Sequence, residues 1–290
     1  MSVIDIVSHA GPRDLGGFGV RRALPSMQCR QVGPFVFLDH MGPHDFAPGQ
    51  GMDVRPHPHI GLATLTYLFD GELVHRDTLG SVQTIVPGDV NWMSAGRGIA
   101  HSERTSPEAR TRGARVHGLQ SWVALPKGRE RDAPSFQHHP RATIPVAKHR
   151  DWEVTVLAGR AFGERSPVQV PSDTLYASVR LPASGIFGLP QDHVERAIYV
   201  IDGTIECAGD RYEAGTLVVF HRAHEVAVRA EKDAHLLLLG GEPLDGPRHI
   251  WWNFVSSDET HIEQAKVDWT GRRFGQIPGD DAEFAELPER

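Results

Sequence analysis

The chain has 290 residues, with 30 Lys plus Arg against 37 Asp plus Glu, a formal charge of −7, 17 histidines and only two cysteines. A pI of about 6.2 with no basic block argues against nucleic acid as a partner, since phosphate binding needs clustered Lys and Arg. Cys29 and Cys207 cannot build a disulfide framework or a four-thiolate zinc site. Apolar runs are short, such as residues 236–239, so no membrane span is expected. The first residues lack a basic segment followed by an apolar one, so no secretory signal is expected and the cytoplasm is the default location.

In chain order, short runs rich in Val, Ile, Leu, Thr and aromatics are separated by turn residues. Residues 34–40, 61–80, 81–96 and 115–126 read as strands, as do 152–159, 175–182, 196–209, 215–221 and 225–230. Asp70-Gly71, Pro87-Gly88 and Asp202-Gly203 mark turns between them. Many short strands at close spacing predict an antiparallel sandwich or barrel. One helix is expected over 257–267, with Ser257 as its cap, and a second short one within 280–286. Residues 57–126 and 193–240 repeat one order of strands and turns, which predicts two similar β units. The polar, Pro-containing stretch 127–150 reads as the crossing between them. The expected division is 1–130, a linker at 131–150, and 151–290, whose last fifty residues pack back on one unit.

Most histidines stand alone, among them His9, His75, His138, His139, His149, His235 and His249, and read as surface or packing residues. Two places differ. His57-Pro58-His59 puts two imidazoles on one face of a strand, where both can bind one metal ion. His101-Ser102-Glu103 repeats that spacing with an imidazole and a carboxylate, and follows the tight-turning Gly96-Arg97-Gly98. If the two strands are neighbours, His57, His59, His101 and Glu103 converge. Three imidazoles and a carboxylate, with no thiolate, suit a borderline first-row ion: Fe(II), Mn, Ni, Cu or Zn. In an octahedral ion they leave two positions open, as a Lewis-acid or oxygen-using site requires.

These motifs resemble those of the cupins, and more closely of pirin and its bacterial relatives. Residues 55–81 and 87–103 are similar to the pirin signature, and 34–43, 251–257 and 283–288 resemble further family landmarks. The resemblance implies an all-β chain of two tandem cupin barrels (double-stranded β-helix, jelly-roll) with a short C-terminal helical segment. Ordinary cupins carry a glutamate where this chain has Thr64, and a PxG where it has Gly96-Arg97-Gly98. Glu103 replaces the missing carboxylate, as in pirins. The resemblance therefore implies His57, His59, His101 and Glu103 as ligands of ferrous iron, Fe(2+). In the second half the corresponding slots hold Leu189 and Gln191, and His193, Glu195, His221 and His224 are out of register, so that cupin is expected to be degenerate and metal-free.

The implied activity is that of a quercetin 2,3-dioxygenase: a flavonol bound through its 3-hydroxyl meets dioxygen, loses carbon monoxide and leaves a depside, with Glu103 as ligand and general base. Alternation from His59 puts Gly61, Ala63, Leu65 and Tyr67 on the site's face, with Trp92, Met93, Phe35, Phe37 and Phe46 nearby, each read as core by default. Arg97 either bonds a substrate oxygen or pairs with Asp89. A second reading is an iron-dependent redox sensor whose partner is a protein, a transcription factor or a metabolic enzyme. Oxygen uptake or carbon monoxide release with quercetin separates the two.

Overall fold

A computed structural model describes residues 2–14 and 18–289. Its elements are almost all strands, with two α-helices among the described residues. The chain folds into two compact units, each a pair of facing sheets.

One unit holds residues 1–13, 20–40 and 142–244. Its larger sheet runs Ile4–His9, Thr216–Phe220, Glu195–Asp202, Ala234–Gly241, Thr174–Leu181, Trp152–Ala161, Val146–His149. The leucine run 236–239 lies in Ala234–Gly241, hydrogen-bonded on both sides and buried at every position. Burial on both faces is why this strand shows no polar alternation. The second sheet runs Ile186–Gly188, Ala227–Ala230, Thr204–Cys207, Asp210–Glu213. Val154, Val156, Ile198, Val218, Leu236 and Leu238 of the first sheet pack with Phe187, Ile205 and Val228 of the second.

The other unit holds residues 14–19, 41–141 and 245–290. One of its sheets runs Asp53–His59, Ile99–Arg104, Leu73–Asp77, Val82–Ile85. Facing it, Ser135–His139, Val90–Ser94, Leu62–Gly71 and Arg115–Ala124 pair in that order. Gly61 makes the corner between Asp53–His59 and Leu62–Gly71 with φ of +67°. A Cβ there would collide with the Val255 carbonyl oxygen, so only glycine fits. The strand–turn–strand order of 62–94 recurs in 195–220, as the sequence echo predicts.

The structural division differs from the sequence boundaries at both ends of the chain. Residues 1–13 and 20–40 group with the second barrel because Ile4–His9 pairs with Thr216–Phe220. Residues 245–290 group with the first barrel, where Ile60, Ala100, Phe254, Ile262, Ala265 and Trp269 form one cluster. The stretch 127–150 contains two strands, Ser135–His139 and Val146–His149, one in each unit. The helix predicted over 257–267 is Glu259–Thr270, and its cap is Asp258, whose carboxylate accepts from the Thr260 N–H at 2.9 Å. Ser257 instead donates its hydroxyl to Glu130 at 2.9 Å. No helix forms at 280–286, which runs as an irregular tail. The unpredicted helix Pro107–Arg112 starts with Ser106 as cap and Pro107 in the first turn, a signal present in the sequence.

Candidate metal centre

The three histidines and Glu103 lie on two adjacent strands. Asp53–His59 pairs antiparallel with Ile99–Arg104, and His57 stands directly opposite His101. His59, two residues on, points to the same face. The ring centroids are 5.0 Å apart for His57 and His59, 4.3 Å for His57 and His101, and 5.1 Å for His59 and His101. One nitrogen from each ring lies within 4.8 Å of the others.

Hydrogen bonds decide which nitrogens face inward. His57 donates its Nδ1–H to the Arg55 carbonyl at 2.8 Å, and His59 donates Nδ1–H to the Asn253 carbonyl at 3.1 Å. Each ring therefore keeps its Nε2 lone pair free, an arrangement typical of metal-bound histidine. The third ring is the most telling, because His101 is 1% exposed and its Nε2 has no hydrogen-bond partner. A buried polar atom left unpaired costs about 1–3 kcal/mol, and a cation at this point removes that cost. Burial pushes the His57 imidazole down to about 4, and burial plus the neighbouring rings push His59 and His101 well below the usual histidine range. All three are neutral at pH 7, the form that binds a metal. The donor set thus fits a first-row divalent cation.

Glu103 is placed differently. A bulge between His101 and Glu103 shifts the register, and the carboxylate is not among the atoms gathered with the three imidazoles. Its Oε1 accepts from the Thr66 hydroxyl at 3.1 Å, and the same hydroxyl lies 2.8 Å from the Gln120 amide oxygen. Burial pushes the Glu103 carboxyl up.

The facing sheet corrects the expected pocket wall. Thr66 contacts Glu103 and pairs with Gln120, and Thr64 pairs with Trp122, which meets His59 edge-on at 5.1 Å. Even-numbered residues of Leu62–Gly71 therefore face the histidines, and Ala63, Leu65 and Tyr67 face away. The alternation counted from His59 fails because Gly61 turns the chain from one sheet into the other. Of the large side chains near the motifs, Trp92 pairs with Leu65 on the far face, whereas Met93 pairs with Thr64 on the near one. Phe46 packs on Phe18 and His44. Phe35 stacks on Tyr176 and Phe37 lies under Arg22, both in the other unit. Arg97 is exposed, and Asp89 does not pair with it: the Asp89 carboxylate accepts from the Arg141 and Val86 N–H groups.

Comparison with known proteins agrees with this geometry. Residues 17–123 match the family Pirin, and residues 176–275 match the Pirin C-terminal cupin domain. A pirin-like protein of Caulobacter vibrioides is 47% identical, over 99% of this chain and 100% of its own. The chain belongs to the pirin family. Among solved structures, a quercetin 2,3-dioxygenase from Acinetobacter baumannii is similar with a TM-score of 0.91 and 34% identity, covering 98% of this chain and 95% of that one. The bacterial pirin YhhW from Escherichia coli, in complex with nickel(II), shares the fold with a TM-score of 0.63 at 19% identity, over 82% of this chain and 100% of that one. Among the described residues of this pirin-family chain, no helix is long and apolar enough to cross a membrane.

His75, one of the histidines read as surface or packing residues, is buried against His101. Its Nδ1 lies 3.3 Å from His101 Nδ1, and its Nε2 lies 2.9 Å from Asp77 Oδ2. The ring stacks on Phe136 at 4.4 Å, a residue of the stretch expected to be a linker. A signal was available: His75-Arg76-Asp77 repeats the i, i+2 spacing of the other two motifs and opens just after the Asp70-Gly71 turn.

Proposed function

We propose that this chain is a metal-dependent dioxygenase of the pirin type, cleaving flavonols such as quercetin with dioxygen at one ferrous ion held by His57, His59, His101 and Glu103. The observation that carries the reading is the buried, unpaired Nε2 of His101 beside the inward Nε2 atoms of His57 and His59. When bound, ferrous iron supplies Lewis acidity toward an enolic hydroxyl and one-electron chemistry toward dioxygen. The similarity to the Acinetobacter dioxygenase supports the substrate class.

The chain's own residues have three tasks. Glu103 is both ligand and base: Thr66 occupies its Oε1, and Oε2 takes the proton of the flavonol 3-hydroxyl. Trp122 and Thr64 border the histidines and restrict water. The net reaction consumes one dioxygen per flavonol and yields a depside and carbon monoxide, with no external reductant. In this reading the C-terminal barrel holds no metal, since its slots carry buried Leu189 and exposed Gln191.

The test is anaerobic loading with ferrous iron, followed by quercetin in air. One metal ion per chain, oxygen uptake and carbon monoxide release support the proposal. Full metal loading with neither gas change across a panel of flavonols overturns it.

A further inference from the structure

The three histidines differ in what lies behind them. His57 and His59 each donate to a neutral backbone carbonyl. His101 alone is backed by a second imidazole, and that imidazole by a carboxylate. The order is fixed from the far end. Asp77 Oδ1 accepts from the Leu79 and Ser81 N–H groups at 2.9 and 3.0 Å, so its other oxygen, Oδ2, faces His75 as an acceptor. His75 must then donate from Nε2, and in the neutral ring this leaves its Nδ1 as an acceptor. The only proton available for the 3.3 Å contact between the two Nδ1 atoms is the one on His101. His101 is thereby held as the Nδ1–H tautomer, and its Nε2 is left as a bare lone pair.

The surroundings allow little else. His75 is 4% exposed, Asp77 is fully buried, and Phe136 stacks flat on the His75 ring at an interplanar angle of 13°. Leu73–Asp77 and Ile99–Arg104 are adjacent strands, with His101 opposite Asp77 and Glu103 opposite His75. The dyad thus sits on the strand flanking His101 on the side away from His57.

We propose that His75 and Asp77 are positioning residues that select the metal-binding tautomer of His101 through a carboxylate–imidazole–imidazole chain. This rests on the metal-site reading above. It adds that one ligand's tautomer is dictated two groups away, by a carboxylate that never touches the metal.

Asp77→Asn tests it. The substitution is isosteric and keeps an oxygen for the Leu79 and Ser81 N–H groups, but turns an N–H toward His75. His75 must then accept at Nε2 and carry its proton on Nδ1. His101 must accept at Nδ1, and its proton moves to Nε2, the atom aimed at the metal. Nitrogen-15 NMR of the apo protein should find His101 as the Nδ1–H tautomer in the parent and as Nε2–H in the variant. Cobalt(II) titration should show affinity lowered about 10- to 100-fold, with the d–d spectrum altered. The pair His75→Gln and His75→Leu keeps the question open to test if Asp77→Asn does not fold. Gln can accept from His101 Nδ1 and should bind cobalt nearly as the parent does, whereas Leu should not. The inference is overturned if His101 keeps its tautomer in Asp77→Asn, or if His75→Leu binds cobalt like the parent. Failure of the parent to bind cobalt at all would instead count against the metal site itself.

Discussion

At the scale of single residues, the two roles proposed for Glu103 can be separated. Glu103→Gln keeps an oxygen that can ligate but not one that takes a proton, so turnover should fall by about 10²- to 10⁴-fold while metal content, measured by elemental analysis, stays near the parent's. Equal losses of both would assign Glu103 to ligation alone. His57→Ala removes an imidazole with no substitute nearby and should lower metal content and activity together. A different chemistry is tested at Cys29. Its thiol is buried, donates to the Gln31 carbonyl, and is pushed up to about 11 by burial. The thiolate is the reactive form, and a raised pKa keeps the thiol protonated below that value. At pH 8 a disulfide reagent should label Cys29 only after denaturant is added. Rapid labelling of the native protein would contradict that burial.

At the scale of elements, two joints hold the metal unit in shape. The first is the Gly61 corner. Gly61→Ala would place a methyl into the Val255 carbonyl in a left-handed backbone conformation, so a loss of more than about 1 kcal/mol is expected. A urea midpoint unchanged from the parent would rule that out. The second is Glu130, which pairs with Arg248 at 2.8 Å and accepts from the Ser256 hydroxyl and the Ser257 N–H. Arg248 is 1% exposed at its side chain and keeps Asp245 as a second carboxylate partner, so Glu130→Ala removes one of two anionic partners and should cost about 1–3 kcal/mol. Because Asn253 lies in the same segment and accepts from His59, metal affinity should weaken too. The strands and the two ligand motifs were legible in the sequence because period-2 alternation and i, i+2 spacing are local properties of an extended chain. What was not legible depends on where chains meet. The change of face at Gly61 is a change of sheet, and His75 matters only because its strand lies beside His101. The carbonyl that orients His59 comes from a residue 194 positions away.

At the scale of the whole molecule, the two units are interleaved along the chain. The first strand belongs with residues 142–244, and residues 245–290 belong with 41–141. A fragment of residues 151–290 lacks Ile4–His9 and leaves the edge of Thr216–Phe220 unpaired, a template for aggregation. Size-exclusion chromatography should find it self-associated, and a stable monomer would show that the first strand is dispensable. This crossing of the ends has a consequence for synthesis. The carbonyl of Asn253 and the anchor at Arg248 leave the ribosome after all three clustered imidazoles. Of the three imidazoles, His59 therefore waits without its acceptor through the making of residues 142–244, and a fixed His59 ring becomes a mark of a chain translated past Asn253.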